Sequence, residues 1–314
     1  MSKIFTRLNF GDVAYSSGGK CFKRLTTEIV PQLKEEITTL TITLPTEAVN
    51  PAAAAVGTKV YLFGGVNSSS YRVNTINVYD TESNTITTLS TKLPTVAANE
   101  MAAVAVGTKV YLFGGVGTAR LKTIYVFDTV NYTITTLSTT LPTAASNIAA
   151  AAVGKKVYLF GGVGTSNLNT INVFDTESNT ISTLSTKLPT TASYIAAAAV
   201  GTKVYLFGGT SSSRLNTINV FDTESNTINT LSTKLPTAAH NIAAAAVGTK
   251  VYLFGGYGTS NLNTINAFDT ESNTITTLSN ILPTAANSIE AAAVGTKVYL
   301  FGGNGCSNTI NVFS

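Results

Sequence analysis

Val-Tyr-Leu-Phe-Gly-Gly, at residues 60–65, recurs at 110–115, 157–162, 204–209, 251–256 and 298–303. The first glycines of the six copies are Gly64, Gly114, Gly161, Gly208, Gly255 and Gly302, spaced 50 and then four times 47 residues apart. A four-residue apolar run that ends in two glycines reads as a strand buried on both faces, stopping where other backbone comes close. A fixed period near 47 residues marks a repeat architecture, in which one unit buries its apolar surface only by stacking on the next.

Working outward from the third copy, four strands fit one period. Residues 149–153, nearly all alanine, read as strand a, and Gly154-Lys155-Lys156 as a tight turn. Residues 157–160 are strand b, 161–168 a loop and 169–174 strand c. Residues 175–179 form a polar turn of Asp, Ser and Asn type, and 180–185 a threonine-rich strand d before the link Leu188-Pro189. Small residues inside and polar residues outside suit a channel wall and a solvated outer edge. The expected fold is therefore all-β, a six-bladed β-propeller of four antiparallel strands per blade. A β-solenoid is the alternative, but its repeats are shorter and lack this gradient.

The sixth unit lacks strand d, because the chain ends at Ser314 after a strand at 308–313. Ile37-Thr38-Thr39-Leu40, followed by Leu44-Pro45-Thr46, matches Ile181-Ser182-Thr183-Leu184, followed by Leu188-Pro189-Thr190. Residues 36–44 are thus predicted to complete the last blade beside C-terminal strands a to c, removing two open sheet edges. This divides the chain into an extension, 1–35, and a propeller, 36–314. Residues 13–19 faintly resemble strand b and its glycines, but no strand a precedes them, so a seventh blade is not expected.

The residues resemble the kelch repeat, with its glycine pair after an apolar strand, then an aromatic-Asp, then a Trp. Gly161-Gly162 and Phe174-Asp175 stand for the first two, with copies at Tyr79-Asp80, Phe127-Asp128, Phe221-Asp222 and Phe268-Asp269. The resemblance covers about residues 36–314. The chain has no Trp, and Ile86, Ile134, Ile181, Ile228 and Ile275 take its place, which predicts a smaller, aliphatic contact between blades. That departure, and the absence of room in 1–35 for a BTB domain, set the chain apart from animal kelch adaptors. The Thr/Asn/Ser style looks more like bacterial or bacteriophage kelch proteins.

The repeats differ from one another in two connections only. The b–c loop carries Tyr71, Arg72, Arg120, Asn167, Arg214, Tyr257, Asn261 and Asn304. The d–a link carries Asn147, Tyr194, His240, Asn241, Asn287 and Glu290. In an up-and-down blade both connections emerge on one face, while the near-constant a–b and c–d turns emerge on the other. Drift alone would alter both faces, although loops also vary by default. These fourteen residues are therefore the expected ligand-binding face. Tyr and Arg suit recognition hot spots, arginines suit carboxylates or phosphates, and Asn with Tyr suits sugar hydroxyls, so a protein or a glycan is the expected ligand.

Other classes find little support. Net charge is +4 in 314 residues with 11% charged, and without a basic run nucleic acid is not an expected partner. No stretch approaches the ~18 apolar residues of a membrane span, and residues 1–10 lack an apolar signal core, so no membrane insertion and a cytoplasmic or particle-associated place are expected. Cys21 and Cys306 read as free thiols. The single histidine, His240, supports neither a histidine metal cluster nor the copper site of some kelch-like oxidases, and it reads as a polar loop residue. The glycine pairs are not phosphate loops, since no Lys-Ser/Thr follows. Asp175, Glu177 and their copies read as turn stabilisers. No cofactor, metal or enzymatic activity is expected.

The reading is a recognition module. Its alternative is a structural or assembly protein, such as a bacteriophage particle component, attached through residues 1–35. That segment holds Lys3, Arg7, Lys20, Lys23, Arg24 and Lys34, and reads equally as a solvated tail, an extra strand or an arm for a larger assembly.

Overall fold

Each Val-Tyr-Leu-Phe run is the second strand of a four-stranded antiparallel sheet, and there are six such sheets. A computed structural model of the chain describes residues 13–15, 21–23, 35–67, 69–94 and 98–314. The described residues fall into two units, Met1–Lys34 and Glu35–Ser314. In the first, Val13–Tyr15 pairs antiparallel with Cys21–Lys23. The rest of the expected N-terminal arm, and the Cys21 side chain, lie outside the described residues.

The third blade shows how sequence becomes sheet. Ala149–Val153 pairs with Lys156–Phe160 across the Gly154 turn, Lys156–Phe160 with Thr170–Asp175, and Thr170–Asp175 with Thr180–Lys187. Val157, Tyr158, Leu159 and Phe160 are all buried, whereas the outer strand alternates between exposed and half-buried residues. The first, second, fourth and fifth blades repeat this order. The innermost strands lie against one another in sequence, and Glu290–Val294 lies against Ala52–Val56, so the six blades close into a ring.

Closure follows the sequence match. Ile37–Thr39 pairs antiparallel with Ile310–Phe313, with Phe313 opposite Ile37. The regular strand is shorter than 36–44, but the segment continues along its partner. The Leu40 and Leu44 amides donate to the Ile310 and Asn308 carbonyls at 2.8 and 2.9 Å, and Glu36 and Ser314 exchange two backbone bonds of 3.0 Å.

The contact between blades differs from the aliphatic one that the missing Trp suggests. Phe221 of one blade sits against Tyr158 and Phe160 of the blade before it, with ring centroids 5.4 Å apart in both pairs, one tilted and one edge-on. The same triad recurs around Phe127, Phe174, Phe268 and Phe313, and Tyr79 fills the place against Tyr299 and Phe301. Ile181 and its equivalents are only half-buried beside these rings. The aromatic of the Phe-Asp pair, rather than the residue at the Trp position, is the wedge between blades. Such geometry adds about 0.5–1.5 kcal/mol per pair beyond area burial.

Two belts of hydrogen bonds flank the aromatic layer. On one side, the second glycine of each pair donates its N–H to an alanine carbonyl of the next blade's incoming link, as from Gly162 to Ala192 at 3.0 Å. On the other, an outer-strand threonine donates to the turn of the next blade, as Thr186 Oγ1 does to the Asn226 carbonyl at 2.7 Å.

Candidate functional site: the channel mouth and its rim

The b–c loop and the d–a link meet above every glycine pair. A residue of the d–a link bridges the residue just after the pair in all six blades: Val49 with Val66, Asn99 with Val116, Ser146 with Val163, Ser193 with Thr210, His240 with Tyr257, and Asn287 with Asn304. A second bridge joins the residue after the pair to Arg72, Arg120, Asn167, Arg214 or Asn261 in the first five blades. The first five blades therefore present a short ladder of two bridges on this face, and the sixth a single bridge.

The innermost ring consists of Asn50, Glu100, Asn147, Tyr194, Asn241 and Ser288. All six adopt left-handed backbone, with φ between 51° and 59°. The strain has a reason. In five of the six the amide reaches the carbonyl of the blade before it, giving bonds from Glu100 to Asn50 (3.5 Å), Asn147 to Glu100 (3.1 Å), Tyr194 to Asn147 (3.3 Å), Asn241 to Tyr194 (3.2 Å) and Ser288 to Asn241 (3.2 Å). Asparagine tolerates this conformation best, which accounts for three of the six; Tyr194 and Glu100 bear a cost of order 1 kcal/mol or more.

These residues line a cavity of ≈ 110 Å³ at the channel mouth. Below them, Pro51, Met101, Ile148, Ile195, Ile242 and Ile289 form an apolar collar, and Glu290 enters from one side. Asn147 donates through Nδ2 to Glu100 Oε2 at 2.6 Å, and Asn241 to Ser288 Oγ at 3.0 Å. Glu290 opens strand a of the sixth blade, where the other blades have Ala52, Ala102, Ala149, Ala196 and Ala243. Burial pushes its carboxyl up to about 8.

The rim is unequal around the ring. In three places the varied residues satisfy one another across a blade boundary. Arg72 Nε donates to Asn99 Oδ1 at 2.8 Å, Ser193 Oγ to Asn167 Oδ1 at 3.0 Å, and Asn287 Nδ2 to Asn261 Oδ1 at 2.6 Å. Asn167, Asn261 and the buried Asn287 thus tie blades together. Asn304 and Tyr71 are exposed, Tyr71 at 71% on the longest b–c loop.

The arc from the second to the fifth blade is different. Tyr194, His240 and Tyr257 stack in series with centroids 5.5 Å apart, and the Arg214 guanidinium lies 5.1 Å from the Tyr257 centroid. His240 is half-buried in this stack and not the plain loop residue expected; its Nδ1 is buried without a hydrogen-bond partner. Burial holds its imidazole below the usual range, and the Arg214 charge adds to this, while the neighbouring Asn241 side chain opposes it. Burial raises the Tyr194 phenol, as does the nearby Glu100 charge, while Arg120 lowers it. Among the described residues, no hydrogen bond satisfies the exposed guanidiniums of Arg120 and Arg214.

Sequence comparison of the repeats brings out Asn147, Tyr194, Asn241 and Glu290, which line the mouth cavity, and Arg120, Arg214, His240 and Tyr257, which belong to the bridges of the rim. The same d–a link also varies at Asn50, Glu100 and Ser288, and these three complete the mouth. All three stand two residues before strand a, in the column that holds Asn147 and Tyr194.

On the opposite face the repeated acids hold turns. Asp175 Oδ1 accepts the Glu177 and Ser178 amides at 2.9 and 3.0 Å, and these bonds lower its carboxyl from the usual range. Asp80, Asp128, Asp222 and Asp269 do the same.

The family model described as the KLHDC2/KLHL20/DRC7 Kelch-repeats domain matches the chain in three overlapping stretches, residues 14–162, 50–238 and 194–313. The match holds without any Trp. A comparison with curated proteins gives no match.

Proposed function

The chain belongs to the kelch-repeat family, whose propellers are general protein-binding scaffolds, and from that premise we propose that it is a non-enzymatic recognition module holding a protein partner over the channel mouth. The observation that carries this reading is the unequal rim. Arg72, Asn167 and Asn261 spend their polar groups on the neighbouring blade, whereas the arc of Tyr194, His240, Tyr257 and Arg214, with Arg120 beside it, is held by ring packing and leaves the two exposed guanidiniums free of hydrogen bonds among the described residues. Tyrosine and arginine on a rigid base are the residues that dominate interface energies, and the two guanidiniums suit carboxylates of a partner. The backbone under them is tied by inter-blade bonds, so little ordering cost is added on binding.

The test is a selection of displayed random peptides on the wild-type protein, followed by affinity measurements on variants. Arg120→Ala, Arg214→Ala and Tyr194→Ala together should weaken the selected peptides at least tenfold and leave the melting temperature within a few degrees. Arg72→Ala should matter less. Peptides that bind the triple variant undiminished, or a glycan array that yields ligands where the peptide library yields none, would sink the reading.

A further inference from the structure

We propose that the propeller channel is a site for a primary ammonium on an unbranched stem, the side chain of a lysine presented by the partner, with its charge paired to Glu290 and its methylenes against the collar of Met101, Ile148, Ile195, Ile242 and Ile289. The recognition reading above is needed only for the source of that lysine.

Three features converge on the channel. The first is a break in symmetry. Five blades open strand a with alanine and one with glutamate, and among the described residues that carboxylate has neither a hydrogen bond nor an ion pair. Glu290 is half-buried and lines both channel cavities, and a carboxyl with no protein partner in so enclosed a place is one that a cationic ligand can match. The second is the sign of the lining. The mouth cavity of ≈ 110 Å³ and the deeper one of ≈ 150 Å³ are lined by two carboxylates, Glu100 and Glu290, and by no Lys, Arg or His. The third is the layering. Polar groups form the mouth, an apolar collar follows, and the carboxylate meets the channel two residues below Ser288, about 7 Å along a strand. A lysine offers the same order of parts, a polar backbone, a four-carbon stem and a compact charge.

The charge state of Glu290 adds a pH signature. Burial pushes its carboxyl up to about 8, and nothing titratable close by competes. The strands on either side, Ala52–Val56 and Ala243–Val247, carry only Ala and Val. In its own blade Phe301 stands opposite Glu290 and Lys297 at the far end of the ladder. Glu100 and Tyr194 are the other ionisable groups at the mouth. An ammonium that pairs with Glu290 must displace its proton below that value. Affinity therefore rises about tenfold from pH 7 to pH 9, while lysine itself stays charged.

The probe is Nα-acetyl-lysine methylamide, titrated into the full chain carrying ¹³C-labelled isoleucine δ-methyl groups. We expect saturable shifts of the Ile148, Ile195, Ile242 and Ile289 signals, tighter at pH 9 than at pH 7. We expect none with the Nε-acetylated derivative and none in Glu290→Ala. That variant restores the alanine of the other five blades, so it folds. Absent shifts in the wild type, equal shifts in Glu290→Ala, or equal binding of the Nε-acetylated or the arginine derivative would overturn the proposal. The outcome is separate from the rim variants. Shifts beside a harmless Arg120/Arg214/Tyr194 triple variant would leave the ammonium site standing and remove the wider recognition reading.

Discussion

Gly154 and Gly161 have nearly the same backbone, φ 60° and 59°, yet substitution should separate them sharply. Around Gly154 an added Cβ meets nothing within 4 Å, so Gly154→Ala costs about 1 kcal/mol for left-handed backbone alone. At Gly161 the same Cβ lies 2.2 Å from the Ala192 carbonyl oxygen, the acceptor of the Gly162 amide. Gly161→Ala must push two blades apart, and about 3 kcal/mol or more is expected in denaturant titration. Comparable losses for both variants would mean that the glycine pair does not staple the blades. Glu290 gives a second prediction. Its folded value of about 8 lies above its usual 4.5, so it favours the fold most at low pH, and that contribution is lost as pH rises between those values, by at most about 1.4 kcal/mol per pH unit. Glu290→Ala should therefore melt increasingly above the wild type from pH 5 to pH 8. A constant gap between the two melting curves would exclude a carboxyl held above its usual range in the folded protein.

The closing strand is the element on which the ring depends. Among the described residues, Ile37–Thr39 supplies the only pairing partner for the outer edge of Ile310–Phe313. Glu36 and Ser314 are already hydrogen-bonded neighbours in the places that Thr180 and Asp175 hold in the third blade. Inserting Thr-Glu-Ser-Asn between them rebuilds the turn of 176–179. A circular permutant opened between Pro45 and Thr46, with this insertion and without residues 1–35, should fold and melt within a few degrees of the parent. Simple deletion of 36–44 should leave an exposed sheet edge and aggregate. A permutant that fails to fold, measured by circular dichroism, would count against this closure. The strand order, the turns and this closure were all legible in the sequence, because period, turn residues and the split repeat are local or internal matches. The aromatic wedge was not, because Phe221 is adjacent to Tyr158 and Phe160 only after two blades stack.

At the scale of the molecule, the rigid ring separates two jobs. One face carries Asp-held turns repeated with little change, and the other gathers nearly all the variation around a channel whose lining is acidic and whose rim is basic and aromatic over one arc. The rim variants belong to this scale. Arg120 and Arg214 project from loops whose backbone is fixed by bridges to the d–a link, so their loss should change partner affinity and leave the ring intact.

By itself the sequence determined the blade count, the strand order, the split sixth blade and the face on which variation gathers. Each of these is a pattern within the chain, set by periodicity and by the conformational demands of Gly, Asn and Asp. Only the tertiary structure decided which varied residues are spent between blades and which are open. Arg72 and Arg120 occupy the same place in the repeat, and what separates them is the residue that the next blade brings opposite. It also decided that Glu290 enters the channel, because one position in one strand becomes part of a common lumen only when six strands are brought round a single axis.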